Sequence, residues 1–516
     1  MLAGSTAARA QTSDLAFASA TEQQGAVASK ATSYEALARL YLDRISQLDQ
    51  SGPHLNSILA LNPTLTAEAR TLDATPPPKS QLQPLRGLTV LLKDNIETAN
   101  LPTTAGSLAL KDNNTGRDAP LTARLKLAGV LILGKANMSE WANFRSTHSI
   151  SGWSAMGGLV RNPYGLDRLA CGSSTGSAVA VASGLTWAAI GTETDGSITC
   201  PAAMTGLVGL KPTVGLVSRA RIVPISASQD TAGPIARNVT DAASLLTVIA
   251  GSDPQDPATA EADRHKTDYA AALSGATLKG ARIGVLRYTH SPQTDAAFEA
   301  ALKVLEAHGA VLVNVPLPDE GPVDAAEHIV LRAEFKAGIN AYLAEASPGV
   351  KARTLDDLIL FNAASEPEMA LFGQELFVDA ASAPALTNPA YLAALESGRR
   401  LAGPQGIDRM LASAKVDVLV AASGAPASVL DPVNGSRWLG SPSTWSAVAG
   451  YPHLTVPMSY VSGLPVGLSI IGPKWSEAQL LRLGYAFEQA THARVAPTYP
   501  ASTVQRPEIA RALDPR

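Results

Sequence analysis

Three polar, glycine-rich segments hold the residues whose types and spacing suit acyl chemistry. In Gly191-Thr-Glu-Thr-Asp195-Gly196-Ser197-Ile198 a glycine precedes a hydroxyl. Gly196 permits a sharp turn, and successive N–H groups in such a turn can converge on one point and hold an oxyanion. Thr194, Asp195, Gly196 and Ser197 are the candidates to supply them, and Ser197 is the candidate nucleophile. In Cys171-Gly172-Ser173-Ser174-Thr175-Gly176-Ser177-Ala178, hydroxyls crowd the start of a small-residue helix, where backbone amides favour negative charge. Taken alone, this segment equally reads as a helix cap, and the Gly196 segment as an ordinary strand-to-helix turn. In Leu91-Leu92-Lys93-Asp94-Asn95 a lysine ends an apolar run. A buried ammonium is costly unless it is paired or neutral, and a neutral lysine is a base. The plainer alternatives are a lysine that escapes to solvent or pairs with Asp94. Pairing is weakened because adjacent strand residues point to opposite faces.

Alternating strand and helix patterns must position these segments. Ser33 is placed to cap a helix running to about Leu48, and Leu55–Leu61 reads as a strand. Leu88–Leu92 and Val130–Leu133 are short buried-strand runs on either side of a helix over Pro120–Ala128. A helix over Gly176–Gly184 leads to a strand at Trp187–Ile190, and a strand–helix–strand set starts at residue 281 and ends at Val315. Residues 320–412 are mostly helical and read as a cap over the sheet. Val416–Val420, Leu454–Val456 and Val466–Ile471 are late strands. The expected architecture is α/β: one large domain with a mixed, mostly parallel twisted sheet covered by helices on both faces. Residues 1–30 are expected as a flexible N-terminal extension, 31–495 as the domain with 320–412 as its helical insertion, and 496–516 as a tail.

Two motifs mislead. Gly129-Val-Leu-Ile-Leu-Gly134-Lys135-Ala136 fits most of a phosphate loop. Its four middle residues are themselves a strand, however, and Ala136 replaces the magnesium-binding hydroxyl. Gly172-Ser173-Ser174-Thr175-Gly176 satisfies G-x-S-x-G with Ser174 central, but the preceding Arg161–Arg168 stretch reads as loop where a nucleophile elbow needs a strand. The nearest histidine, His148, sits in no Asp-His context.

Composition narrows the class. The chain has 516 residues, 46% of them hydrophobic and only 5% aromatic, with a net charge of −4. That suits a close-packed α/β enzyme, and the absence of a basic cluster argues against nucleic acid or acidic lipid. No apolar run is long enough for a membrane span. Cys171 and Cys200 are the only cysteines, too few for a disulfide framework or a cysteine zinc site. They read as two buried small apolar residues, with pairing left open. Ala8-Arg9-Ala10 resembles the end of a signal peptide, but the charged and apolar regions of one are missing, so cytoplasmic residence and export both stay open.

The combination of segments resembles the amidase signature family, whose pattern is a Gly/Ser-rich run, then G-T-D-x-G-G-S, then G-L-K-P-[ST]. Here these read CGSSTGSAVAVASG, GTETDGSITCPAA and GLVGLKPT. Ser173 and Ser197 stand 24 positions apart, the spacing of the family's two key serines, and Lys93 lies in a K-D-N segment like the family's lysine. KANMSEWANF, SQDTAGPIAR, GYPHLTVPM and GLPVGLSIIG extend the match over roughly residues 33–490. SEWANFRS, SISGWSA, GTETDGSI and LFGQELFVDA are similar to bacterial peptide amidases, which remove the C-terminal amide of peptides.

The resemblance implies that Ser197 attacks the amide carbonyl, that Ser173 bridges it to Lys93, and that the Gly172–Ser173 peptide bond is cis. Lys93 must then be neutral in the resting enzyme. Trp141, Phe144 and Gln229 are candidate substrate contacts. No metal or cofactor is expected, and the partner is a small or peptidic amide bound by a monomer or homodimer. Asp195 departs from the family pattern, in which Gly is usual, and must turn away or be neutralised beside an oxyanion hole. Thr199 replaces a common Arg. The alternatives are a hydrolase of simple aliphatic or aryl amides, an ammonia-transferring amidotransferase subunit, and a non-catalytic binding protein on the same fold.

Overall fold

The computed structural model describes residues 15–77, 83–435 and 440–513. The signal-like residues 1–10 lie outside them. Part of the expected flexible extension is helical: Ala20–Ala28 is a helix closed by a Ser19/Glu22 capping box. It is fastened to the body where Gln23 Nε2 donates to Tyr41 Oη at 2.7 Å. Ser33 caps the next helix, Tyr34–Arg44, as its position predicts.

Eleven strands form one sheet. They are β1 (Ile58–Leu61), β2 (Thr89–Lys93), β3 (Leu131–Ala136), β4 (Ala188–Glu193), β5 (Val208–Lys211), β6 (Thr231–Ala236), β7 (Arg282–Val285), β8 (Val311–Asn314), β9 (Val418–Ala422), β10 (His453–Val461) and β11 (Leu464–Ile471). Their spatial order is β1-β3-β2-β4-β6-β5-β10-β11-β9-β7-β8. The sheet is mixed, as expected, but antiparallel pairing prevails over parallel. Only β2–β3, β2–β4, β7–β8 and β7–β9 run parallel. Helical crossovers account for those pairs. The centre is antiparallel because β5 and β6, which apolar runs do not reveal, pair with each other and β6 pairs with β4. A tight turn then folds β10 onto β11, with Ser462 and Gly463 both at positive φ, the geometry that suits a two-residue hairpin.

Two large apolar cores flank this sheet, and strand parity decides which side chain enters which. Val90 and Leu92 of β2 lie in one core and Leu91 in the other. Leu91 shares its core with the buried helix Thr175–Ala182. Lys93, two residues on, follows Leu91 to that face. The helix TGSAVAVA is built of small residues, and its close approach requires a glycine. A Cβ on Gly176 would come within 2.3 Å of the Asn137 and Ser57 carbonyl oxygens.

The helical insertion is present as Gly321–Ala344, Leu355–Ala363, Glu366–Met369, Glu375–Ala381, Pro389–Ala402 and Asp408–Ala414. Its Phe335, Ile339 and Leu343 pack with Trp141, Val223 and Ile225, so it lies against the loops that follow the strand ends. Among the described residues, no helix is long and apolar enough to cross a membrane.

Candidate active site

Lys93 is completely buried at the end of β2. Its Nζ lies 2.7 Å from Ser173 Oγ, 3.0 Å from the Thr192 carbonyl oxygen and 2.9 Å from Thr192 Oγ1. Burial pushes the ammonium down to about 7, partly opposed by the Asp230 and Glu193 carboxylates. Asp94 does not neutralise it: that carboxylate turns to the other face and pairs with Lys135 at 3.2 Å. The phosphate-loop-like lysine is thereby accounted for as a buried ion-pair partner.

Ser173 follows a cis Gly172–Ser173 peptide bond. Its carbonyl accepts from Ser139 N at 3.1 Å. Ser139 Oγ in turn accepts from Gly152 N at 2.8 Å, so a loop serine braces the relay turn. Gly172 must lack a Cβ, which would fall 2.2 Å from Ser139 Oγ. Ser174, the centre of the elbow-like motif, is a brace of another kind. Its Oγ donates to Thr192 O at 3.1 Å and accepts from Thr192 N at 3.2 Å, which fastens the helix start to β4.

Ser197 sits in the turn after β4, with Gly196 before it at φ +77°. Its carbonyl accepts from Ser174 N at 3.1 Å, joining the two serine segments. Ser197 Oγ carries no hydrogen bond among the described residues, and the backbone N–H groups of Thr194, Asp195, Gly196 and Ser197 meet no acceptor there. Glu193, the last residue of β4, holds the far side of the turn. Its Oε2 accepts from Ile198 N at 2.7 Å and from Thr199 N at 2.9 Å, at the start of the helix Thr199–Met204. Four successive unpaired N–H groups beside a free hydroxyl can stabilise charge developing on a carbonyl oxygen.

Asp195 turns toward the chain that follows the helical insertion, where its Oδ2 accepts from Thr444 Oγ1 at 2.9 Å. Burial holds its carboxyl above the usual range. Burial also raises Glu327, and the Asp195 charge raises it further. Gln229 Nε2 donates to Glu327 Oε1 at 2.6 Å, which ties this candidate contact to the helical insertion. Trp141 is buried edge-on against Phe377, and Phe144 packs on Phe335. A cavity of about 390 Å³ opens beside Asn95, Thr192 and Thr194, walled by Val223, Ile225 and Leu386. Ala142 lines it, whereas Ser173, Ser197, Trp141, Phe144 and Gln229 do not.

Several positioning groups escape a reading by residue type. Thr192, Glu193, Asn95, Ser139 and Asp230 show only as letters inside motifs, and Thr444 lies outside every motif. Cys171 and Cys200 correct the expectation of two independent apolar residues, because they form a disulfide with Cα atoms 5.9 Å apart. Helix Thr175–Ala182 and strand β4 run between them and return the chain to the same place, which sequence spacing does not disclose. Among the described residues, no group of His, Cys, Asp and Glu side chains is placed to hold a metal ion.

A mixed sheet under a helical insertion thus carries a buried lysine on a cis-linked serine beside an N–H-lined turn. The amidase family model matches residues 36–481, and the chain belongs to that family. A probable amidase of Arabidopsis thaliana is 39% identical over 478 residues, covering 90% of this chain and 88% of the relative. The native peptide amidase from Stenotrophomonas maltophilia superposes with a TM-score of 0.88 at 48% identity, covering 93% of this chain and 98% of that one. An amidase family protein from Bacillus anthracis str. Ames superposes with a TM-score of 0.86 at 35% identity, covering 95% of this chain and 94% of its own. The protein is an amidase.

Proposed function

We propose that this amidase hydrolyses the C-terminal carboxamide of peptides through an acyl-enzyme on Ser197. The observation that carries the mechanism is the buried Lys93 Nζ at 2.7 Å from Ser173 Oγ, with burial pushing it to about 7. A neutral amine has two N–H bonds and one lone pair. The N–H bonds serve the carbonyl and hydroxyl of Thr192, and the lone pair faces Ser173. Ser173 passes its proton to Lys93 and takes one from Ser197, whose oxygen attacks the carbonyl carbon. The negative oxygen settles among the N–H groups of residues 194–197. Lys93 returns the proton through Ser173 to the leaving nitrogen, ammonia departs, and water releases the acid by the same relay.

The choice of peptide amides rests on two supports. One is the 48% identity and 0.89 TM-score to a peptide amidase solved with the competitive inhibitor chymostatin. The other is charge: Asp195 lies in the nucleophile turn and, when ionised, repels a free C-terminal carboxylate while tolerating a neutral carboxamide. The test is ammonia release from matched peptide amides, free peptides and simple aliphatic or aryl amides. Peptide amides turned over in preference, with internal peptide bonds spared, is the expected result. Preference for simple amides overturns the substrate assignment. Activity that appears only with further protein partners present favours an amidotransferase role.

A further inference from the structure

We propose that the Cys171–Cys200 disulfide is a positioning cross-link for catalysis, holding the relay-serine turn against the nucleophile helix so that its two-electron reduction lowers turnover. The inference rests on the Ser197–Ser173–Lys93 reading. Cys171 lies two residues before Ser173, and Cys200 three residues after Ser197. Ser197 Oγ has no hydrogen bond among the described residues, so no side-chain hydrogen bond there fixes its distance to Ser173. The backbones of the two segments must set that distance.

Two ties join those backbones directly, beside the Ser174 Oγ bonds to Thr192 at the end of β4. One is the Ser174 N–H bond to Ser197 O at 3.1 Å. The other is the disulfide, which lies on the opposite side of Ser173 in the chain. Together they bracket the relay serine. Neither sulfur-bearing segment is a sheet strand: Cys171 precedes the helix Thr175–Ala182, and Cys200 lies in the short helix Thr199–Met204. Cys171 is also held at φ +58°, a left-handed conformation disfavoured for a residue with a Cβ, while its carbonyl accepts from Thr175 Oγ1 at 2.6 Å. Cutting the bridge frees that residue to relax and carries Gly172 and Ser173 with it.

The reaction that cuts it is a thiol–disulfide exchange with a dithiol. The S–S bond gains two electrons and two protons to give two protein thiols, and the dithiol closes to its own cyclic disulfide. The test compares the oxidised chain, the chain treated with a dithiol, and Cys171→Ala/Cys200→Ala. Free thiols are counted in each, the fold is followed by far-ultraviolet circular dichroism, and kcat and KM are taken from ammonia release. A fluorophosphonate, with the labelled residue located by mass spectrometry, reports nucleophile reactivity.

The expected result is a folded, reduced chain with kcat and labelling rate down about 10-fold or more and KM within about threefold, since a displaced relay impairs the chemical step more than binding. Re-oxidation restores the reduced chain, and the double variant stays slow with or without dithiol. Unchanged kcat in a chain with both thiols free overturns the proposal. So does loss of the fold on reduction, or a rise in KM alone. If the dithiol does not reach the bridge, the double variant decides; if the double variant does not fold, the reduced chain decides. Failure of the oxidised chain to label at Ser197 overturns the nucleophile assignment instead, and the response of ammonia release to reduction still reads the cross-link.

Discussion

Lys93 Nζ and Ser173 Oγ, 80 positions apart in the chain, lie 2.7 Å apart in a site where Lys93 has no solvent contact and no carboxylate in direct contact. Burial there sets the protonation state on which the proposed relay depends, and its consequences can be measured one by one.

Removing the hydroxyls separates the two serines. Ser197→Ala should lower kcat by at least about 10⁴-fold and abolish fluorophosphonate labelling, because no other group replaces the attacking oxygen. Ser173→Ala should lower it by about 10²–10⁴-fold, the range of a lost proton-transfer partner. Persistent labelling at Ser174 in the Ser197→Ala chain would move the nucleophile to the elbow-like motif.

The pH dependence follows from the direction of the Lys93 shift. In the proposed relay the base is the neutral amine, whose fraction grows as pH rises through about 7. Accordingly kcat/KM should climb through that region and level off, and Lys93→Ala should lose the climb along with most of the activity. An unchanged profile in the variant would remove Lys93 from the role of base.

Stability, like activity, should rise with pH, while replacing Lys93 should move the two in opposite senses. The folded value of Lys93 is depressed to about 7, so between there and 10.5 the unfolded chain holds the proton more tightly. The penalty is full below about 7 and fades as pH rises through that window. Lys93→Met should therefore stabilise the inactive chain, by at most about 5 kcal/mol near pH 6 and less near pH 10. Denaturant midpoints at the two pH values provide the comparison.

Asp195 bears on product binding. At pH 8, Asp195→Asn should tighten inhibition by free-acid peptides about 3–10-fold, since an ionised carboxylate in the nucleophile turn no longer repels the product's. The KM for peptide amides should change less. Equal changes for both ligands would assign Asp195 to packing against Thr444.

Glu193 anchors the nucleophile turn from behind. Glu193→Ala would strip a buried carboxylate from two backbone N–H groups, and a loss of about 1–3 kcal/mol in stability is expected. Because Ile198 is one residue from Ser197, kcat should fall more than KM rises.

The elements that the sequence shows most clearly are those with local causes. Ser33 caps a helix because its side chain reaches an N–H three residues on. The apolar runs near Leu88–Leu92, Val130–Leu133 and Val466–Ile471 become strands because they can be buried on both faces. Strands β5 and β6 do not show in the sequence because glycine and proline interrupt them, and only pairing with β4 and β10 holds them extended. The antiparallel centre of the sheet is hidden with them.

The three candidate catalytic side chains, their order and the family they belong to were determined by the sequence alone, since motif spacing along a chain is a one-dimensional property. Whether Lys93 is neutral is not such a property. It depends on the parity of β2, the helix that covers that face, and Asp94 turning away to Lys135. The turn of Asp195 toward Thr444 and the joining of Cys171 to Cys200 were likewise decided by the tertiary structure, because burial, charge separation and sulfur-to-sulfur reach are distances in space.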